Sequence, residues 1–159
     1  RATLRLIHTQ ITKNDQMVYG LLLLDLDFFK LINDEFGHDA GDKALLTTAG
    51  VLKANLSKHD IICRYGGEEF LVFLPYYTYK QTKQLAKTLI EKIRHSNVVF
   101  QHHEFNLTAS CGVCHVGSPT PFEDALKQAD IAMYRAKAQG RNCVCFANDN
   151  DNQITLTTP

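Results

Sequence analysis

From Val18 to Leu24 the chain is almost wholly apolar, and the run closes on Asp25, Leu26 and Asp27. An apolar segment without alternation is a strand covered on both faces. The spacing then becomes helical: "FFKLINDEFG" from Phe28 predicts a helix, with Asp27 as its N-cap and Gly37 as its stop. "GDKALLTTAGVLKANL" from Gly41 predicts a second amphipathic helix. "DIICRY" and "EFLVFLP" read as two short strands joined at Gly66-Gly67, a hairpin whose glycines supply the positive φ of a tight turn. "TYKQTKQLAKTLIEKIRHS" predicts a long helix, and "FQHHEFNLTASCGVCHV" one strand with room for a short hairpin. "PFEDALKQADIAMYRAKAQG" predicts another helix stopped by Gly140, and "NCVCF" a last strand. The order is β-α-α-β-β-α-β-α-β. That is an α/β (α+β sandwich) fold, with a mixed central sheet of about five strands flanked by helices.

Composition narrows the classes that fit. The 159 residues are 45% hydrophobic, enough for one domain with a real core. Lysine plus arginine equals aspartate plus glutamate at 17 each, which argues against a protein that grips long nucleic acid by its backbone. A small phosphorylated ligand needs only a few local cations and stays open. No apolar run reaches the about 20 residues of a membrane span, and no signal peptide opens the chain. The five cysteines, an odd count set mostly in strand-like runs, read as reduced thiols of a cytoplasmic domain. Cys111-x-x-Cys114 and Cys143-x-Cys145 lack the turn that a zinc knuckle needs. The start, "RATLRLIHTQITKN", has neither Met nor a cap and reads as cut from a longer chain. Residues 1–147 are expected to form the domain and 148–159 a disordered polar tail.

Four clusters hold candidate chemistry: Asp25 and Asp27 at the strand end; Asn33, His38 and Asp42 in "NDEFGHDAGD"; Glu68 and Glu69 at the hairpin; and Lys137 and Arg141 in "YRAKAQGRN". Each has a plain reading alone, as a strand-end carboxylate, a helix cap, a turn former or a cation on a helix C-terminus. Their combination carries more weight than any one of them.

The run "LDLDFFKLINDEFGHDAGD", then "RYGGEEF", then "ADIAMYRAKAQGRN", resembles the GGDEF family, the diguanylate cyclases, in order and spacing. The likeness spans about Val18 to Phe146 and carries the Gly-Gly-Glu-Glu-Phe variant of the signature. It implies a nucleotidyl-cyclase fold, like a polymerase palm, that condenses two GTP into cyclic di-GMP and releases two pyrophosphates. Asp25, the Leu26 carbonyl, Glu68 and Glu69 would then hold Mg²⁺ or Mn²⁺, two ions per active site, with Asp25, Glu68 and Glu69 catalytic. Such ions need hard oxygen ligands. Backbone amides at Phe28, Phe29 and Lys30 would cradle the phosphates, and Lys137 and Arg141, spaced i and i+4, would reach them from one face. Asn33 and Asp42 would read the guanine edge, with His38 in the same substrate-binding stretch. At Gly66 and Gly67 a Cβ would collide with the nucleotide.

The resemblance also implies a homodimer of catalytic domains, an upstream sensory domain, and a cytoplasmic location in a parent protein that can be membrane-anchored. Many members carry a product-inhibition site, Arg-x-x-Asp, five residues before the Gly-Gly. Here that position reads Ser57 to Asp60, so the site is degenerate, with Lys58 the one cation at hand. The rival readings are a GTP- or cyclic di-GMP-binding regulatory module without turnover, and a polymerase or adenylyl cyclase.

Overall fold

A computed structural model describes residues 1–149. The chain runs α1 (Ala2–Lys13), β1 (Tyr19–Leu26), α2 (Phe29–Phe36), α3 (His38–Asn55), β2 (Ile61–Arg64), β3 (Glu69–Pro75) and α4 (Tyr79–Arg94). It continues through β4 (Asn97–Phe100), β5 (His103–Asn106), β6 (Ala109–Val116), α5 (Phe122–Ala138) and β7 (Val144–Phe146). A five-stranded mixed sheet of order β2-β3-β1-β6-β7 forms the centre, and β4-β5 make a separate hairpin. Only β6 and β7 run parallel.

The unalternated run of β1 is explained by its two neighbours above and below. Leu22, Leu24 and Leu26 face a core closed by α3, α4 and the β4-β5 hairpin, with Leu52, Leu89 and Val98 among its members. Tyr19, Leu21 and Leu23 face the opposite core, where Ile7 of α1 and Phe122, Ala125 and Ala129 of α5 close over them. All eight residues of β1 are buried, so Asp25 at its end is drawn out of water with the rest.

The structure departs from the pattern-based expectations in particular places. α1 was not foreseen, and only Ile7 of that helix is buried. The α2 cap is Phe28 in a left-handed conformation, φ 58°, with no side-chain cap, so Asp27 is not the N-cap. Gly37 does end α2. The positive-φ glycines are Gly37 and Gly140, so the Gly66-Gly67 turn does not use the left-handed conformation expected of it. Asn148 brackets His115, accepting from its N–H at 2.8 Å and donating to its carbonyl at 2.9 Å. Asp149 takes Lys83 at 2.9 Å and the Tyr79 hydroxyl. These two residues of the expected tail are therefore tied to the domain; residues 150–159 lie outside the described residues.

Candidate active site

The centre of the site follows from strand register. Antiparallel pairing places Asp25, near the end of β1, directly opposite Glu69, at the start of β3. The Leu26 amide donates to the Glu68 carbonyl at 3.1 Å, which fastens the hairpin to the strand end. Two carboxylates carried 44 residues apart in sequence thus converge because a buried strand ends where a hairpin begins (69 − 25).

That convergence is electrostatically uncomfortable. Burial pushes the Asp25 carboxyl above its usual range, against the hydrogen bond and charge of Lys137 that pull it down. Glu69 is raised as well, by burial first and then by the charges of Asp25 and Asp130. Lys137 answers with an ion pair to Asp25 at 2.9 Å. Among the described residues no three Asp, Glu, His or Cys side chains form a cage for a metal by themselves. A pair of hard carboxylate oxygens, one buried and one half-buried, nevertheless fits Mg²⁺ or Mn²⁺, which take one or two carboxylates and complete their shell with phosphate and water. The ammonium of Lys137 stands where such a charge is wanted.

The hairpin turn has its own lock. The Arg64 guanidinium donates to the Gly66 carbonyl at 3.2 Å and to the Gly67 carbonyl at 2.6 Å. A Cβ on Gly66 would overlap the Glu69 carboxylate, whereas one on Gly67 would meet no protein atom within 4 Å. Gly66 therefore makes room for a site carboxylate, and Gly67 faces open space.

Around this centre the other candidates are distributed unevenly. α2 begins at Phe29 without a side-chain cap, which leaves its first amides without intrahelical partners. Lys30 is exposed and lies 4.0 Å from the Asp34 carboxylate, one turn on along α2. Arg141 was expected one helical turn beyond Lys137 on the same face. Instead α5 ends at Ala138, and Gly140, Arg141 and Asn142 turn the chain with φ of 110°, 68° and 49°. This turn carries the Arg141 guanidinium over the Phe28 ring, 4.9 Å from its centre. Asn33 packs its amide against Gly41, where a Cβ would overlap it, and the Asn33 Oδ1 is buried without a partner. Asp42, one residue on, lines a cleft of about 560 Å³ with Leu45, Ala49, Lys53 and Phe70. His38 is exposed at the first position of α3.

Three residues have roles that the sequence pattern does not reveal. Arg64 is one, although it directly precedes Tyr65 and the two glycines. Asp27 is another: its carboxylate accepts from Thr108 at 2.7 Å, Ser110 at 2.6 Å and the Asn142 amide at 2.9 Å. The third is Asp130, whose charge reaches Glu69 from α5.

A profile of the family described as "Diguanylate cyclase, GGDEF domain" matches residues 2–143. The chain belongs to the GGDEF family. As a GGDEF domain it is 41% identical over 122 residues to diguanylate cyclase DgcP of Pseudomonas aeruginosa, covering 77% of this chain and 18% of that protein. It is 42% identical over 126 residues to the response regulator PleD of Caulobacter vibrioides, covering 77% of this chain and 28% of that one. The chain thus spans less than a third of the length of either relative. Among solved structures, the active GGEEF domain of a Vibrio cholerae diguanylate cyclase superposes with a TM-score of 0.79 at 28% identity, over 94% of this chain and 92% of that one. The diguanylate cyclase SiaD of P. aeruginosa, solved with its activator SiaC, gives 0.81 at 32% identity, over 90% and 55% of the two chains.

The loop from Ser57 to Asp60 is closed by its own contacts. Asp60 is folded back on its own loop: Oδ2 accepts from the Ser57 amide at 2.7 Å and the Tyr77 hydroxyl at 3.1 Å, and Oδ1 is buried.

Proposed function

We propose that this chain is a diguanylate cyclase domain, which joins two GTP molecules into cyclic di-GMP and releases two pyrophosphates. The observation that carries the reading is the Asp25–Glu69 carboxylate pair at the sheet end, both held above their usual proton affinity by burial, with the charges of Lys137 and Arg141 acting on Asp25.

Asp25, the Leu26 carbonyl, Glu68 and Glu69 would hold the divalent ions, two per site. When bound, Mg²⁺ or Mn²⁺ gathers charge on the triphosphate and eases deprotonation of the attacking 3′-hydroxyl. Lys137 then leaves Asp25 for the β- and γ-phosphates, and Arg141 joins it from the turn beyond α5. The amides that open α2 donate to phosphate oxygens at a helix N-terminus. Gly67, with nothing in front of it, lets the nucleotide approach the backbone. Asp42 accepts the guanine N1–H and N2–H₂, and the Asn33 amide adds a further bond, while His38 borders the same pocket. Facing adenine, the same carboxylate would lose those donors, which disfavours ATP. The 3′-oxygen attacks the α-phosphorus of the second GTP, and the P–O bond to pyrophosphate breaks.

Two copies of the domain supply the two nucleotides, and an upstream sensory domain controls their meeting. Relatives named as a response regulator, or solved with an activator, support a regulated output domain. No helix among the described residues is long and apolar enough to cross a membrane, which fits a cytoplasmic placement of this part of the parent protein. The test is incubation with Mg²⁺ and either GTP or ATP, followed by separation of products. Cyclic di-GMP from GTP alone is the expected result. Tight GTP or cyclic di-GMP binding without turnover would favour the regulatory module, and cyclic AMP from ATP an adenylyl cyclase.

A further inference from the structure

The carboxylate of Asp27 is buried, 4% exposed, yet it belongs to neither the metal pair nor the helix cap. It gathers three donors from distant parts of the chain: the hydroxyls of Thr108 and Ser110 at the entrance of β6, and the amide of Asn142 beyond α5. The Asp27 amide in turn donates to the Thr108 carbonyl at 2.9 Å. The Asn142 bond is the informative one. Asn142 closes a turn of three successive left-handed residues, two of them not glycine, a conformation that persists only where surroundings enforce it. Three bonds hold this one: the Gly140 amide to the Lys137 carbonyl at 3.3 Å and the Arg141 amide to the Ala136 carbonyl at 3.0 Å, both within the end of α5, and the Asn142 amide to Asp27 from outside it.

Arg141 sits between these anchors, and its guanidinium lies over Phe28. Phe28 directly follows Asp27. One residue therefore fixes both halves of the stack, the ring through the backbone and the arginine through the Asn142 amide. We propose that Asp27 is a positioning residue for the nucleotide: it holds the Arg141 turn against the start of α2 so that the guanidinium is preset toward the phosphates. This inference rests on the proposed cyclase reading. A residue that merely ties β1 to β6 would affect stability alike whether or not Arg141 is present. A residue that acts through Arg141 would lose its influence once Arg141 is gone, which a double-mutant cycle reads directly.

The experiment uses the full chain with Mg²⁺ and a non-hydrolysable GTP analogue, with affinity measured by calorimetry and amide exchange measured by mass spectrometry or NMR. Asp27→Ala should weaken the analogue about tenfold, and Asp27→Asn, which keeps an acceptor but loses the charge, by a smaller factor. In an Arg141→Ala background the added loss from Asp27→Ala should shrink to less than about twofold. The Asn142 amide should exchange slowly in the wild type and fast in Asp27→Ala, while the β1 and β6 amides stay protected. Wild-type affinity in folded Asp27→Ala, or an equal loss with and without Arg141, overturns the proposal. If Asp27→Ala fails to fold, the same cycle is run with Asp27→Asn, where an effect independent of Arg141, or no effect, overturns it. If the wild type binds no analogue, the cyclase reading falls and the proposed role in nucleotide positioning falls with it. Amide exchange then still separates a real clamp from none.

Discussion

Asp25 and Lys137 form an ion pair whose two halves are not equally expendable. Asp25 is buried, and desolvation outweighs the lysine in setting its proton affinity. Its charge is a liability to the resting fold. Asp25→Asn should leave the thermal midpoint of the metal-free protein unchanged or higher, while cyclase turnover is lost. Lys137→Met leaves the carboxylate enclosed without its cation and should cost about 1–3 kcal/mol, a drop of several degrees in melting. Melting curves of both variants without metal test the asymmetry, and equal destabilisation would refute it. Glu69→Gln should behave as Asp25→Asn does, folded and inactive, and substantial turnover in Glu69→Gln would remove the hairpin carboxylates from the mechanism. Both residues were visible in the sequence, because a hydrated pair at the mouth of an apolar strand has no packing reason to be there. Asp27 was misread. An aspartate before a helical pattern is locally indistinguishable from an N-cap, and its real partners lie 81, 83 and 115 residues away.

Secondary elements were legible where hydrophobicity alone decides them. β1 carries its two-sided burial in its composition, and α4 its apolar spacing, with Thr82, Ala86, Leu89, Ile90 and Ile93 buried. α1 was not legible, since it has no side-chain cap and buries one residue. Gly140 stops α5 as its pattern predicts, but Arg141 and Asn142 leave the helix with it, so the i, i+4 spacing of Lys137 and Arg141 does not place them on one helix face. Glycines show how closely elements approach. A Cβ on Gly112 of β6 would overlap the Ala129 carbonyl oxygen and the Met133 nitrogen, both backbone atoms of α5. Gly112→Ala should therefore push the helix that carries Lys137 off the sheet, costing about 3 kcal/mol and weakening GTP binding. Gly67→Ala meets no protein atom and sits outside the left-handed region, so its melting should stay within about 0.5 kcal/mol of wild type while turnover falls. If Gly67→Ala keeps full activity, the nucleotide does not approach that backbone. The Ser57–Asp60 loop belongs to this scale too. Asp60 is committed to Ser57 and Tyr77, and Ser57 cannot offer the forked charge of an arginine. Calorimetry of cyclic di-GMP against Glu69→Gln should show no submicromolar binding at this loop. Tight binding abolished by Asp60→Ala would prove the degenerate site functional.

At the scale of the whole molecule, the proposed reaction calls for two such sites. Each chain brings one Asp25–Glu69 pair and, on the proposed reading, one guanine-reading set in Asn33 and Asp42. The product is a two-fold symmetric ring closed by two identical bonds, each 3′-oxygen bound to the opposite phosphorus. On the proposed reading one chain presents one activated nucleotide, and two chains are expected to face each other about a two-fold axis. Association then belongs to the rate law. Specific activity should rise with protein concentration in proportion to the dimer fraction, and sedimentation over the same range should show monomer giving way to dimer. Mixing supplies a second test that does not depend on how tight the dimer is. Asp25→Asn keeps its fold and its surface, so it should pair with wild-type chains and leave them facing an inert half-site. An excess of Asp25→Asn should then depress wild-type turnover well below its unmixed value, whereas added albumin should not. If activity per wild-type chain were constant across a hundredfold dilution and also indifferent to excess Asp25→Asn, one chain would be closing both bonds. The facing-dimer arrangement would then be wrong.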